Sequence, residues 1–475
     1  MSFYIKRLEA YGLHSRFDIK LNFRNDINIL YGRNGSGKTT ILHVLANLLN
    51  GSISRFRFLN FKHIIVVTDE NSTIELFRND KANELKLMLN SKVISRIKIV
   101  EEKSHQITLF EDRESLEYED DEKNTQKKLK VESPAYFPAF RTMIEAWASS
   151  NRDSSIAYVT VGGSPVRRPQ KNSMEELSSL ARAFFGQFVP LLRYRSLESI
   201  ASELANQVER ATFAVVKSGN DMFSEAFVEA FSAVLLKRHE DRDSVETIVG
   251  DIDELYQQIK DKDILKGASD NLSSELYAKM SQMISSARQT LPQANDEAAR
   301  AVLSVYRQSL KKQIEIQTKT YAPFEKYVDS VNEFLEGKKI AILATPSSSP
   351  SNRTKLSLIF EDGKTAPLQS LSSGERQIVS MLYAASPSFT RLGSIVLIDE
   401  PEISLHIDWQ RKLLNKMMQQ IGNHQIIVCT HSPEIGGDYL DAFQEVQALT
   451  PSKKEPIETT ANIDNQNEVD EEIFE

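Results

Sequence analysis

Apolar and polar residues alternate over residues 3–11 and 16–23, and this alternation predicts two paired strands. A short apolar run, Ile27–Tyr31, predicts a third, buried strand. The segment after residue 37 carries apolar residues at the spacing of a helix face: Ile41, Leu42, Val44, Leu45, Leu48 and Leu49. The chain is therefore predicted to begin with strands, a loop and a helix.

Short strand-like segments follow this helix: His63–Val67, Thr73–Phe77, Val93–Val100 and Ile107–Phe110. They predict an antiparallel layer. Strand signals return late in the chain, separated by helical stretches, at Lys355–Phe360, Ser394–Ile398 and Gln425–Cys429. Strands that alternate with helices predict the α/β class.

The pattern between about residues 172 and 337 is helical. Helix-breaking residues predict that it is divided into helices of moderate length: Pro190, Pro292, Pro323, Gly219, Gly250 and Gly267. Sustained heptads are absent, which argues against a long coiled-coil arm. We expect a helical subdomain here.

Composition narrows the class of protein. Hydrophobic residues make up 40% of the chain and charged residues 26%, as in ordinary soluble proteins, and no apolar run approaches the ~20 residues that span a bilayer. The single cysteine, Cys429, excludes an intramolecular disulfide and a multi-cysteine metal site. We expect a cytoplasmic protein without a membrane partner. The net charge of −8 argues against non-specific coating of DNA.

A glycine-rich octet lies between the Ile27–Tyr31 strand and the first helix. It consists of Gly32, Arg33, Asn34, Gly35, Ser36, Gly37, Lys38 and Thr39, and Thr40 follows it. This pattern in a strand–loop–helix context predicts a P-loop, whose backbone N–H groups surround a β-phosphate. Lys38 is predicted to neutralise the β- and γ-phosphate oxygens, and the Thr39 hydroxyl to bind Mg²⁺. The octet therefore predicts a nucleoside triphosphate site.

Two carboxylates end the apolar strand near residue 398. Asp399 suits a ligand of Mg²⁺, and Glu400 suits the group that orients and deprotonates an attacking water. Upstream, the predicted helix start at Leu371–Gln377 offers a second anion site. Its candidate residues are Ser372, Ser373, Gly374 and Glu375. An ordinary serine N-cap, with Glu375 in the first turn, is the alternative.

Taken together, these motifs resemble those of the ABC-type ATPases of the SMC and OLD kind, in which two subunits dimerise head to tail around two ATP molecules. The resemblance implies that the helix start at Ser372 completes the γ-phosphate site of a neighbouring subunit. It also implies that His431, within Val428–Ser432, is the switch histidine that senses the γ-phosphate. The segment Glu402–Gln410 resembles the dimer-contacting loop, and Tyr136–Arg141 resembles a Tyr/Phe-Pro-x-x-Arg element of standalone bacterial members.

The resemblance implies an α/β fold: an ATPase head of mixed sheet with an antiparallel layer and a helical insertion. Residues 1–150 would form an N-lobe with the P-loop, and residues 151–345 the helical insertion. Residues 346–450 would form a C-lobe with the signature, the Walker B strand and the switch histidine. Residues 451–475, with eight acidic and two basic residues, are predicted to be a disordered acidic tail.

The nearest resemblance is to ATPase subunits of bacterial anti-phage systems, of the AriA (PARIS) type or the PtuA (Septu) type. These imply ATP and Mg²⁺ as ligands, a homodimer or higher homo-oligomer, and a separate TOPRIM or HNH nuclease as effector. A phage protein would be the trigger. The 44 residues after His431 are too few for a TOPRIM domain, and one cysteine excludes a zinc hook.

Two questions stay open on the sequence. The glutamine of the family's Q-loop has only Gln106 and Gln126 as candidates. A DNA-binding repair or recombination clamp of the RecF or SMC type is the alternative function, in which DNA would be the partner.

Overall fold

The computed structural model describes residues 3–99, 124–141, 143, 158–161, 164–167, 174–192, 196–236, 243–261, 282, 296–344, 354–386, 395–421, 424–447 and 449. Several predictions lie outside these residues. They are the Ile107–Phe110 strand, the candidate Gln106, and the acidic tail over 451–475.

A five-stranded sheet, parallel at every pairing, carries the predicted chemistry. Its strands, given in spatial order, are β16 (Phe443–Glu445), β3 (Ile27–Tyr31), β15 (Gln425–Cys429), β14 (Ile395–Asp399) and β8 (Ala135–Phe137). The strands β14, β15 and β8 are buried at every residue, as expected for strands covered on both faces. Helix α1 (Lys38–Leu49) contacts β14 and β15. The carboxyl ends of β3 and β14 therefore meet at one edge.

The predicted antiparallel layer is a six-stranded sheet. Its spatial order is β2 (Phe17–Asn22), β1 (Ile5–Leu13), β4 (His63–Thr68), β5 (Thr73–Asn79), β6 (Glu84–Leu89) and β7 (Lys92–Lys98). Burial alternates along β4, β5 and the start of β6, so one face of this sheet is covered. Side chains from this face and from the parallel sheet belong to one hydrophobic core.

Two smaller sheets complete the strands of the described residues. A hairpin pairs β9 (Tyr158–Val161) with β10 (Ser164–Arg167). A three-stranded antiparallel sheet contains β11 (Lys338–Ala344), β12 (Thr354–Phe360) and β13 (Thr365–Ala366). The sequence predicted β12 and did not predict β11.

The described helices after α1 are α2 (Met174–Phe185), α3 (Leu197–Leu236), α4 (Val245–Asp261), α5 (Asp296–Asn332), α6 (Ser373–Ala385) and α7 (Ile407–Ile421). Helices α3 and α5 have 40 and 37 residues, so the prediction of moderate helices is wrong here. They pack side by side, and the Tyr321 hydroxyl donates to the Thr212 hydroxyl at 3.1 Å. The predicted α/β head with an antiparallel layer and a helical insertion is confirmed.

Tertiary packing explains why the predicted helix breakers do not break these helices. Pro323 lies inside α5 between the buried Tyr321 and Phe324, whose packing offsets the missing backbone hydrogen bond. Gly219 lies inside α3, where a Cβ would come 3.2 Å from the Gln313 side chain of α5, so the glycine permits close approach of the helices. Gly250 likewise lies inside α4.

The two faces of α3 differ. Leu204 and Val208 are buried in the core. Phe213, Phe227 and Phe231, on the outer face, are 71%, 69% and 63% exposed. No helix in the described part of the chain has the length and apolar character needed to cross a membrane.

Candidate nucleotide-binding site

The P-loop connects β3 to α1 through two glycines in the left-handed region. Gly35 has φ +78° and Gly37 has φ +94°. A Cβ at Gly37 would lie 3.2 Å from the Phe17 ring and 3.3 Å from Ile19, so both conformation and space favour glycine here. Gly37 is the N-cap residue of α1, which therefore directs its first N–H groups toward the loop.

Lys38 is held over this loop. Its side chain is buried, and its Nζ donates to the carbonyl oxygens of Gly32 at 2.9 Å and Arg33 at 3.3 Å. These contacts fix a positive charge beside the backbone N–H groups of the loop. A phosphate group placed there would meet both.

Thr39 and Asp399 come together across 360 positions of sequence. The Thr39 hydroxyl donates to the two carboxylate oxygens of Asp399 at 3.0 and 3.2 Å. Burial above all, together with the nearby Glu400 charge, raises the pKa of Asp399 to about 7 in spite of the lowering effect of the Thr39 hydrogen bond. Because burial disfavours the charged form of this carboxyl, a cation beside it would stabilise the carboxylate.

This oxygen pair fits Mg²⁺. The ion commonly binds one or two protein oxygens and completes its shell with waters and phosphate oxygens. A hydroxyl and a carboxylate in direct contact, at the edge of the P-loop cavity, provide such a partial shell. No group of three or more histidine, cysteine, aspartate or glutamate residues in the described chain offers a complete protein metal site.

Glu400 and His431 face each other at the same edge. The Glu400 Oε1 lies 3.8 Å from the His431 Nε2, and both side chains are partly exposed. Glu400 has φ +46°, a left-handed conformation that is uncommon for a residue with a side chain. Its backbone N–H donates to the Cys429 carbonyl oxygen at 2.8 Å, which ties β14 to β15 at this point.

The loop that carries His431 is held by Glu402. One carboxylate oxygen of Glu402 accepts from the Thr430 hydroxyl at 2.8 Å, from the His431 N–H at 2.7 Å and from the Ser432 N–H at 3.1 Å. The sequence indicated Glu402 as part of a dimer-contacting loop and gave it no role at the loop that carries His431. Its contacts with residues 28 to 30 positions away have no local signal.

An open cavity of about 960 Å³ lies over these residues. It is lined by His14, Arg16, Phe17, Asn34, Gly35, Gly37, Lys38, Thr39, Thr40, Glu400 and His431. The sequence did not indicate the first three, which come from the turn between β1 and β2 and from the start of β2. The His14 Nε2 lies 3.1 Å from the Thr40 hydroxyl, so this turn is tied to the first turn of α1. Gly32, Arg33 and Ser36 belong to the loop without lining the cavity.

The predicted second anion site lies apart from this cavity. Ser372 is the N-cap of α6, in a capping box: the Ser372 hydroxyl accepts from the Glu375 N–H at 3.4 Å, and the Glu375 carboxylate accepts from the Ser372 N–H at 2.7 Å. Glu375 also pairs with Lys338 at 3.0 Å. Ser372 and Ser373 are exposed, and none of the four candidates at this helix start lines the cavity.

The backbone of Gly374, at the start of α6, packs directly against the predicted dimer-contacting loop of the same chain. A Cβ on Gly374 would clash with the Ser404 carbonyl oxygen, and the Trp409 ring lies 3.5 Å from the same point. The helix start and the loop therefore form one continuous surface.

Of the two Q-loop candidates, Gln126 lies in the described part of the chain. It contacts the Leu49 carbonyl and Ser133 and does not line the cavity.

A P-loop, an adjacent Thr–Asp oxygen pair and a glutamate at the edge of a parallel sheet define the class of P-loop nucleoside triphosphate-binding proteins. The chain matches the family described as the AAA ATPase domain over residues 5–435. It belongs to this ATPase family.

Relatives match shorter segments. The chain is 27% identical to the probable ATPase of retron Ec83 from Escherichia coli over 152 residues, which is 30% of this chain and 27% of that protein. It is 32% identical to the DNA double-strand break repair Rad50 ATPase of Pyrococcus abyssi over 114 residues, 23% of this chain and 12% of that protein. The chain thus spans about a quarter of the length of the retron ATPase and about an eighth of the length of the Rad50 ATPase.

Similar solved structures include the Smc head domain of Pyrococcus furiosus with an extended coiled coil, bound to the C-terminal domain of ScpA. The match covers 91% of this chain and 91% of that chain at 11% sequence identity, with a TM-score of 0.40. The Smc head domain of Pyrococcus yayanosii matches 91% of this chain and 93% of its own at 12% identity, with a TM-score of 0.36.

Proposed function

We propose that this chain is a Mg²⁺-dependent ATPase that dimerises around ATP and thereby controls a separate effector in anti-phage defence. One observation carries the proposal. Lys38, Thr39, Glu400 and His431 line one P-loop cavity, with Asp399 hydrogen-bonded to Thr39, whereas Ser372 and Ser373 at the start of α6 are exposed and do not line it. A site that needs both sets of groups is completed only by a second copy.

Each residue at the cavity has a role in this proposal. Lys38 binds the β- and γ-phosphate oxygens, and Thr39 and Asp399 hold Mg²⁺, which when bound neutralises charge that develops on those oxygens. Glu400 orients the attacking water and accepts its proton. His431, 3.8 Å from Glu400, contacts the γ-phosphate. The backbone and hydroxyls of Ser372, Ser373 and Gly374 reach that phosphate from the second copy.

The effector in this proposal is a nuclease encoded as a separate chain, of the TOPRIM or HNH type, and a phage protein is the trigger. The similarity to a bacterial retron ATPase favours this function. Closure of two heads on ATP would move the long helices α3 and α5, whose inner ends join the core of the head. The helical insertion would thus report the nucleotide state to the effector.

Two substitutions test the nucleotide site. Glu400→Gln is expected to retain ATP, to hydrolyse it about 10²–10⁴-fold more slowly because the general base is lost, and to accumulate as a dimer in light scattering. Lys38→Ala is the matched control, which is expected to lose both ATP binding and the ATP-dependent dimer. A Glu400→Gln protein with wild-type turnover, or a Lys38→Ala protein with wild-type affinity, would contradict the assignment.

The second candidate is a DNA-binding clamp that acts in repair or recombination, and the local similarity to the Rad50 ATPase favours it. The net charge of −8 argues against it. ATP hydrolysis is measured with and without duplex DNA, and DNA binding over a range of salt concentrations. Strong stimulation and a steep salt dependence would favour the clamp over effector control.

A further inference from the structure

Arg141 is a buried arginine whose partners come from three separate elements. It is only 2% exposed. Its Nη1 donates to the carbonyl oxygens of Pro138 at 3.0 Å and Asp399 at 3.2 Å, and its Nη2 donates to the Gln377 Oε1 at 2.7 Å. The guanidinium therefore joins the segment after β8 to the end of β14 and to helix α6.

The contact with Asp399 falls on the peptide unit that leads into Glu400. The carbonyl oxygen of this unit accepts from Arg141, and its N–H, which belongs to Glu400, donates to the Cys429 carbonyl at 2.8 Å. Both polar ends of one peptide plane are thus fixed. The angle φ of Glu400 is the rotation about the bond from its backbone nitrogen, which belongs to this plane, to its Cα. The two contacts therefore help to hold φ of Glu400 at +46°.

That conformation costs roughly 1–2 kcal/mol for a residue with a Cβ, so something must oppose its relaxation. The Cys429 contact alone leaves the carbonyl side of the plane without a protein partner. The fork of an arginine supplies a donor to this side and a further donor to α6 at the same time. A lysine has a single terminal nitrogen and cannot reproduce this geometry.

Gln377 extends the connection toward the exposed helix start. It lies in the second turn of α6, is 2% exposed, and belongs to the helix that Ser372 caps. A shift or rotation of α6 would therefore act on Arg141 through a 2.7 Å hydrogen bond and on the Glu400 peptide through a 3.2 Å bond.

We propose that Arg141 is a positioning residue that couples the start of α6 to the conformation of Glu400. Contact of a second copy with the surface around Ser372 is transmitted through Gln377 and Arg141 to the carboxylate that orients water. This inference rests on the proposed function, since it gives Glu400 the role of base. Arg141 does not line the cavity.

The test compares Gln377→Met and Arg141→Lys with the wild-type chain. ATP affinity is measured with a fluorescent ATP analogue, and turnover at several protein concentrations. Both variants are expected to keep their affinity and to lose about 10–100-fold in turnover, because Glu400 is misplaced while the P-loop is intact. Gln377→Glu, which keeps an acceptor for Arg141, is expected to restore turnover to within a few-fold of wild type.

Gln420→Met is the matched control. Gln420 is another buried glutamine, on α7, and it donates to the Ser330 hydroxyl at 2.7 Å. Its loss is expected to lower thermal stability about as much as Gln377→Met does and to leave turnover unchanged. The positioning role is refuted if Gln377→Met and Gln420→Met both lose turnover in proportion to their loss of stability. It is also refuted if the ATP affinity of Gln377→Met or Arg141→Lys falls together with turnover.

A double variant shows whether Arg141 acts through Glu400. In single-turnover measurements, Arg141→Lys is expected to cause no further loss in a Glu400→Gln background, because residues that act as a unit are non-additive. Independent, multiplying losses would overturn the inference. Failure of the proposed function looks different: the Glu400→Gln variant would then keep wild-type turnover on its own.

Discussion

At the scale of single residues, the first helix combines a ligand-binding end with a buried core. His43 is one turn beyond the P-loop, and its Nε2 lies 2.8 Å from the Tyr136 hydroxyl of β8. Phe188 packs edge-on against the same imidazole. This contact fixes α1 to the edge strand that leads to Arg141. Burial lowers the pKa of His43 to about 3 from its ordinary value of 6.5.

A pH dependence of stability follows from His43. Between pH 6.5 and about 3 the unfolded chain binds a proton that the folded chain does not, so the contribution is complete above 6.5 and is lost as pH falls. The free energy of unfolding should decline by up to ~1.4 kcal/mol per pH unit in this range. His43→Gln removes the titrating group and should flatten the decline in urea unfolding series. Equal slopes for the two proteins would contradict the burial of a neutral imidazole.

At the scale of elements, α3 shows how one long helix serves two environments. Its inner face contributes buried residues to the core, whereas its outer face exposes phenylalanine rings. Packing against α5, and not helix propensity alone, stabilises this length, because isolated helices gain little from propensity. The same packing keeps Gly219 and Pro323 inside helices that their residue types argue against.

Two alanine substitutions on α3 should separate these environments. Leu204→Ala, at 1% exposure, should lower the free energy of unfolding by about 2–5 kcal/mol because it leaves a cavity in the core. Phe227→Ala, at 69% exposure, should change it by no more than about 0.5 kcal/mol. Urea unfolding measures both. A comparable loss at Phe227 would show that the outer face is covered in solution.

At the scale of the whole molecule, the two halves of the proposed site lie on different surfaces of one chain. The cavity contains groups from the turn between β1 and β2, the start of β2, the P-loop, α1, and the loops after β14 and β15. The capping box of α6 rests against the segment around Ser404 and Trp409. A two-fold dimer could bring each surface to the other, since each copy would both give and receive the missing groups.

Mixing two inactive variants tests this arrangement. Lys38→Ala removes the P-loop charge, and Ser373→Arg blocks the exposed start of α6 without burying any new group. In an equal mixture, each dimer that pairs one of each has one intact composite site, whereas neither variant alone has any, so ATPase activity should return to at most about half of the wild-type level. If the activity of the mixture stays at the level of the separate variants, a composite site that works independently of the second site in the dimer is contradicted.

Much of the site was accessible from the sequence because its motifs are contiguous. The residues of the P-loop octet act through local backbone geometry, and the apolar run before Asp399 marks a buried strand whose end must lie at the sheet edge. The structure places Lys38, Thr39 and Glu400 at one cavity, with Asp399 hydrogen-bonded to Thr39, while the roles of these residues stay predictions. Strand β6 also carried an alternating signal at Leu85 and Leu87 and was nonetheless missed.

The tertiary structure alone decided which distant groups meet. Arg141 contacts an oxygen 258 positions away and an amide 236 positions away, and His14 approaches Thr40 across a turn. The sequence marked Arg141 as part of the Tyr136–Arg141 element, but no local pattern indicates that its partners are Asp399 and Gln377. The sequence by itself therefore determined the phosphate-binding chemistry, which short-range backbone geometry encodes. The length of the helices and the support of Glu400 depended on packing between elements far apart in the chain.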